Sequence, residues 1–291
     1  MDTDNLYTEK ENFLVVLDSR NATSYTNGDL HSSVHFDLNE PIRLPKNAMA
    51  MTCSVLQFTC PQSLYNVNCY NNHLHVKKIT NDTFSNGTLI VFEIDIYIPV
   101  GNYNCNTMLT YLKSVLTIAP YNITCLFDTI TNKFTLQHVY TINQEKIFIS
   151  GNCGSVLGFS DIVISNSGFV YMPYICNFNG LQSFNIHFGN LITKNIDSFT
   201  KSVSSIIQVI PVNGQDNRIV YIKNSDFSFQ ITQDIIDDIQ IELSDDLTQL
   251  LDLNGQHWNL CLYFSIIKDI DRFQNHSSNG FNNIINKFGG F

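Results

Sequence analysis

The chain has 291 residues, a mass of 33.1 kDa and a formal net charge of −10. Charged residues make up only 14%, against about 25% in an average globular protein, and polarity comes instead from 35 Asn. With Ala confined to positions 22, 48, 50 and 119 and with 21 Phe and 13 Tyr, the composition excludes a helical bundle and argues against disorder, while the acidic balance argues against direct nucleic-acid binding.

In chain order, residues 1–11 are polar and acidic and read as a flexible N-terminal arm. Phe13 to Leu17 is an apolar run of strand length. Val34, Phe36 and Leu38 alternate with polar neighbours, and Pro41 and Pro45 break the pattern. Ala48 to Phe58 predicts a longer strand, with Met49, Met51 and Cys53 on one face. Leu64 to Val76 and Leu89 to Ile98 follow. The second is the clearest: Phe92, Ile94, Ile96 and Ile98 share one face, and Glu93, Asp95 and Tyr97 the other. Asn86-Gly87 before it suits a hairpin turn.

The period then changes. Met108, Leu109, Leu112, Val115 and Leu116 line one face of a helix, with Asn106 or Thr107 as its cap and Pro120 after its end. Ile123 to Phe127, Lys133 to Val139 and Lys146 to Ser150 return to strands, and Gly151 to Phe159 is a glycine-rich turn. Strands then continue through Phe184–Phe188, Val203–Pro211, Arg218–Ile222, Asp226–Ile231 and Ile235–Leu243, with Asn213-Gly214 as one turn. Ser244-Asp245-Asp246 predicts the cap of a short helix to about Leu251, stopped by Asn254-Gly255. Trp258, Leu260, Leu262, Phe264 and Ile266 form the inward face of the last strand. Residues 272–291 read as a flexible C-terminal tail.

About a dozen strands without regular β–α alternation predict an all-β sandwich or barrel. The faces at Phe92–Ile98 and Trp258–Ile266 are expected to meet in one core. No run approaches the ~18 apolar residues of a membrane span, and the start of the chain lacks the basic and apolar regions of a secretory signal. Eight cysteines without a C-x-x-C pair predict unbridged, buried thiols in a reducing compartment. Sequons at Asn21, Asn81, Asn86, Asn122 and Asn275 are expected by chance in so Asn-rich a chain.

No motif carries readable catalysis. Gly151–Gly158 has no Lys and is not a phosphate loop, and a G-x-S-x-G elbow is absent. His73 and His75 share a strand face, but nothing in the sequence marks a third metal ligand. Asp234, Asp237, Asp238, Glu242, Asp245 and Asp246 lack the spacing of a calcium loop and read as a solvated strand edge with a helix cap. No catalytic, cofactor-binding or metal residue is assigned, no cofactor is expected, and the chain is read as a non-enzyme.

Four segments together resemble a known family. Pro41-Ile-Arg-Leu-Pro-Lys-Asn-Ala-Met-Ala-Met-Thr-Cys-Ser-Val-Leu-Gln-Phe58 resembles an early strand pair of the penton, or minor capsid, proteins of virophages and Polinton-like viruses. Ile98-Pro-Val-Gly-Asn-Tyr-Asn-Cys-Asn-Thr-Met-Leu-Thr-Tyr-Leu112 is similar to their entry into a helix. Ser155-Val-Leu-Gly-Phe159 and Asp245-Asp-Leu-Thr-Gln-Leu-Leu-Asp-Leu-Asn-Gly255 resemble later segments in the same order. The resemblance implies a single jelly roll, here over 12–271; the helix-containing segment around 100–160 departs from that pattern and is read as an insertion. The resemblance further implies a homopentamer at the five-fold vertices of an icosahedral virion, beside a major capsid protein. The alternative is a viral fibre head or lectin-like β-sandwich that binds a receptor or carbohydrate through exposed aromatics such as Tyr171 and Tyr174.

Overall fold

A computed structural model describes residues 8–26, 31–82, 88–138, 146–165, 169–189, 195–196, 203–212, 218–223 and 228–269. The chain divides into two compact units, one made of residues 1–64 and 182–291 and the other of residues 65–181. The first unit opens with β1 (Thr8–Asp18), β2 (Ser24–Tyr25), β3 (Ser33–Arg43) and β4 (Ala48–Pro61). The second holds β5 (His73–Asp82), β6 (Thr88–Tyr97), α1 (Cys105–Leu116), β7 (Ile123–Asp128), β8 (Lys133–His138), β9 (Lys146–Ser150), α2 (Gly154–Leu157), β10 (Val163–Ser165) and β11 (Phe169–Tyr171). The chain then returns to the first with β12 (Ser183–Phe188), β13 (Asn195–Ile196), β14 (Val203–Ser204), β15 (Ile206–Pro211), β16 (Arg218–Ile222), β17 (Phe229–Ile231), β18 (Ile235–Ser244) and β19 (Asn259–Asp269).

The first unit is a jelly roll. One sheet runs β1-β19-β4-β16, with β17 also on β4, and the other runs β15-β12-β18-β3-β2. The pairings are nested: β1 with β19, β3 with β18, β4 with β16 and β17, and β12 with β15, all antiparallel. A long two-stranded ribbon rolled into two sheets has this pattern. The two inner faces meet through large rings. Phe58 on β4 packs edge-on to Phe184 on β12 at 5.5 Å, Phe188 on β12 meets Phe229 on β17 at 6.4 Å, and Trp258 meets Phe36 on β3 at 6.2 Å.

Two of the register shifts in the roll keep this core continuous. Cys261 pairs with Gln57 but Leu262 with Val55, so Leu56 is the extra residue on β4. The inward face therefore switches from Met51, Cys53 and Val55 to Phe58 and Cys60, all buried, as a one-residue slip requires. Between β18 and β3 the pairing steps from Ile236 opposite Ile42 to Asp238 opposite Asp37, leaving Asp237 on β18 against Leu38–Pro41 on β3. Ile239, Ile241 and Leu243 continue the inward face that Ile236 began.

The second unit has its own core. Its sheets are β10-β9-β5-β6 and β11-β8-β7. Leu74, Val76, Ile96, Ile98, Phe134 and Ile149 are buried in one cluster with Met108, Leu112 and Leu116 of α1. Helix α1 begins at an Asn104 capping box. Asn104 Oδ1 accepts from the N–H of Asn106 at 2.9 Å and of Thr107 at 3.0 Å, and Asn104 N–H donates to Thr107 Oγ1. This satisfies free donors of the first turn. The cap is therefore Asn104 rather than Asn106 or Thr107.

Four expectations need correction. The Phe92–Ile98 face does not share a core with Trp258–Ile266. Ile96 and Ile98 belong to the cluster of the second unit, because β6 pairs with β5. Residues 64–72 are irregular, and the strand begins at His73. Residues 245–250 form a turn and not a helix. Asp245 Oδ1 takes the N–H groups of Leu247 and Gln249 at 2.9 and 2.8 Å, and Thr248 has φ of 65°, so the backbone leaves the helical region at once. Finally, Thr8–Glu11, read as arm, are strand residues opposite Ile266–Asp269. The inserted segment placed at 100–160 lies inside the unit bounded by 65 and 181, since β5 and β6 pair only within that unit. The turns Asn86-Gly87 and Asn213-Gly214 and the tail 272–291 lie outside the described residues.

Phe264 is fully buried and stacks on Phe13 at 5.2 Å. Phe264→Ala is expected to cost about 3–5 kcal/mol, the range for a core Phe, whereas Leu14→Ala on the exposed face of β1 should stay within about 0.5 kcal/mol. Urea denaturation of both variants checks this.

Candidate functional site

The pairs and clusters singled out in the sequence resolve into structural roles. On the β5–β6 hairpin, His75 lies opposite Asp95 and His73 opposite Tyr97. His73 Nε2 donates to Asp95 Oδ1 at 2.8 Å, and His75 Nδ1 donates to the same oxygen at 2.9 Å. These two hydrogen bonds hold the Asp95 carboxyl below the usual carboxylate range. Asp95 was missed as a partner because it becomes His75's neighbour only through the hairpin register. Among the described residues no group of three or more His, Cys, Asp or Glu is arranged to hold a metal ion.

The Gly151–Gly158 stretch is a packing device. Gly158 follows α2 in the left-handed region at φ of 92°, and a Cβ there would lie 2.3 Å from the Tyr174 carbonyl oxygen. Gly154 is equally tight against the Phe159 carbonyl, at 2.2 Å. Only glycine fits where backbone approaches this closely. The basic pair Lys77-Lys78 forms no patch: Lys77 pairs with Glu93, and Lys78 is buried with its amine 2.5 Å from His138 Nε2 and 3.3 Å from the Tyr121 carbonyl.

The acidic stretch lies on β18, which is not an edge as the sequence suggested but sits between β12 and β3. Its outward residues face the outward residues of its neighbours. Asp238 is opposite Asp37, Gln240 opposite His35, and Glu242 opposite Ser33 on one side and His187 on the other. Like charges opposite each other repel. His35 Nε2 moderates this pair, lying 3.0 Å from Asp37 and 3.5 Å from Asp238. Glu242 Oε1 accepts from Ser33 and Gln240.

The outer face of the other roll sheet is different. Across it, Val16, Cys261, Gln57 and Ile222 form one cross-strand row, and Leu14 lies beside Tyr263. None of these is charged. Val16 is 71% exposed, Ile222 67%, Leu14 54% and Val220 50%. The same face carries Lys10 in phase with Leu14 and Arg218 in phase with Val220, and the Lys223 amine lies over it on Ser54 Oγ at 3.1 Å. Asp18, in phase with Val16, is held below its ordinary range by the Arg20 guanidinium, which donates to both of its oxygens. Sequence reasoning missed this face because a strand such as Phe13–Leu17, apolar on both sides, reads as wholly buried.

All eight cysteines are free thiols. Burial pushes Cys60, Cys125 and Cys153 up to about 12, and Cys69 is exposed. Burial also raises Cys53, Cys176 and Cys261, the opposite of the lowering that activates a thiol nucleophile.

Two outcomes follow. At pH 8 a thiol reagent should label Cys69 in the folded chain and reach Cys60, Cys125 and Cys153 only on unfolding, since a thiol at about 12 is ~10⁻⁴ ionised there. All eight should react in denaturant without reductant. In an NMR titration Asp95 should ionise below 3.8, its ordinary value, and His73→Gln with His75→Gln should return it towards that value. Because the folded value is lowered, this contact favours the folded chain above the ordinary carboxylate range and is lost as pH falls through the lowered value.

No protein-family model matches the chain, and no curated protein matches it. Among solved structures, it is similar to the crystal structure of the selenomethionine-labelled mavirus penton protein. That match has 14% identity and a TM-score of 0.47, and covers 89% of this chain and 99% of the other. It is also similar to VP17, a capsid protein of bacteriophage P23-77, with 12% identity and a TM-score of 0.21 over 90% of this chain and 99% of the other. The antiparallel sheets packed as a sandwich make this chain an all-β jelly-roll protein.

Proposed function

We propose that the chain is a penton-type viral capsid protein, a structural subunit of the virion that forms homopentamers at icosahedral five-fold vertices beside a major capsid protein. The observation that carries this reading is where the four penton-like segments fall, two in the roll and two in the unit inserted between β4 and β12. Pro41–Phe58 spans the end of β3, the turn and β4. Ile98–Leu112 leads into α1, Ser155–Phe159 covers α2 and its glycine stop, and Asp245–Gly255 is the connection from β18 to β19. A vertex subunit needs a rigid body with two contact sides that close a ring, and a sandwich whose outer faces differ in charge supplies two unlike sides.

A second reading rests on Tyr171 and Tyr174, 68% and 57% exposed, with Ile175 beside them at 64%. Exposed aromatics with an apolar neighbour suit a receptor or carbohydrate surface, and a vertex protein can carry one.

The purified chain is expected at a mass about five times its own by light scattering. Electron microscopy of particles should place it at the five-fold vertices. Particles whose vertices lack it overturn the reading. A glycan array that binds the chain and loses it with Tyr171→Ala and Tyr174→Ala establishes the second role.

A further inference from the structure

The two outer faces of the roll point away from each other, and they differ. The face of β1, β19, β4 and β16 shows Leu14, Val16, Val220 and Ile222 to solvent, with the basic residues Lys10, Arg218 and Lys223. The face of β15, β12, β18 and β3 shows Asp37, Asp238 and Glu242, with the exposed Arg43 opposite Ile235 at its far end. We propose that the first face of one copy packs onto the second face of the next copy, and that this contact, repeated, builds the ring. The inference rests on the vertex reading and names the surfaces that reading leaves open.

Three physical points lead to a second copy of this chain as the occupant. Copies that each carry a net charge of −10 repel, so a stable contact must set basic against acidic groups, and these two faces do so. A face that packed on its own twin would close a two-fold dimer, and would set Arg218 and Lys223 against themselves. Two unlike faces on one body give a heterologous contact, which closes into a five-membered ring when each copy is turned by about 72° from the last and otherwise runs on as an open filament. The area is also sufficient. Four strands at about 4.8 Å spacing and eight residues at about 3.3 Å cover roughly 500 Å² per partner. That is about 1,000 Å² in total, the lower bound for a specific interface.

The chemistry of the contact follows from the residues. Leu14, Val16, Val220 and Ile222 leave water, which supplies the driving force. Lys10, Arg218 and Lys223 at their margin meet the carboxylates of Asp37, Asp238 and Glu242, which fixes orientation and excludes the inverted pairing. Val209 and Ile235, both about half exposed on the acidic side, give the apolar residues something to pack on.

The test uses the full chain and two variants. One, Val16→Glu with Ile222→Glu, spoils the apolar face, and the other, Asp37→Arg, spoils the acidic face. All three positions are exposed, and thermal melts within about 2 °C of wild type show that the fold is intact. If the first variant melts lower, Val16→Ser with Ile222→Ser replaces it. By analytical ultracentrifugation wild type should assemble, and each variant alone should associate at least tenfold more weakly and sediment as single chains. Mixed one to one, they should form a dimer and nothing larger, because each supplies the face that the other lacks. Either folded variant assembling as wild type does, a mixture that stays monomeric, or a wild-type chain that remains a monomer overturns the proposal. The first two outcomes leave the vertex reading standing. Failure of the vertex reading shows instead as particles whose vertices lack the chain, whatever the variants do.

Discussion

The jelly roll depends on the double-sided pairing of β19. This strand is hydrogen-bonded to β1 over Asn259–Asp269 on one side and to β4 over Asn259–Lys268 on the other. Trp258, Leu260, Leu262, Phe264 and Ile266 present a continuous inward face, all of it buried. Without β19, β1 loses the strand that it pairs with, and β4 keeps only β16 and β17. Trp258 anchors its start: the backbone N–H donates to Ser19 Oγ at 3.0 Å and the indole N–H to the His31 carbonyl at 2.8 Å. One residue thus fixes the end of β1, the loop before β3 and the entry to β19. Its ring also bridges the two sheets between Phe58 and Phe36.

How much of this was legible in the sequence varies with the range of the interaction. Alternation identified the inward faces of β6 and β19, because a side-chain period of two is local. It could not say which core each face joins. Ile96 and Phe264 look alike in sequence and lie in different units, and only strand pairing separates them. Bulges defeat a fixed period: Leu56 and Asp237 each shift the inward phase by one residue, so the tail of β4 and the head of β18 read out of register. The turn at 245–250 was mistaken for a helix because Ser-Asp-Asp caps helices and Asx turns alike. Strands β10 and β11, three residues each, are too short to show any period.

The candidate sites followed the same rule. His73 and His75 were visible as a pair, but Asp95 joins them only across the hairpin. The glycines at 154 and 158 were visible as a turn, but their closeness to backbone carbonyls is a tertiary fact. The outer faces of the roll were hidden most completely. Solvent-exposed Leu14 and Val16 are indistinguishable in sequence from the core residues beside them, and the acidic residues of β18 acquire meaning only when β3 brings Asp37 opposite Asp238. The difference between the two outer faces is a property of the sheets rather than of any motif.

The nesting of the strands sets an order for synthesis. Residue 65 to residue 181 is one uninterrupted stretch, and every strand pairing of that unit lies within it. Its contacts are available as soon as the ribosome has made its last strand. The roll is the opposite case. β1 emerges first, yet its partner β19 begins at residue 259, so the first strand waits for almost the whole chain. Until then the apolar run Phe13–Leu17 has no ladder to join, and such runs are where nascent chains meet the wrong neighbour. Two flanking charges, Lys10 and Glu11, stand just ahead of it. Charges in that position disfavour wrong strand pairing in general, and in the folded chain Glu11 pairs with Lys268 of the final strand.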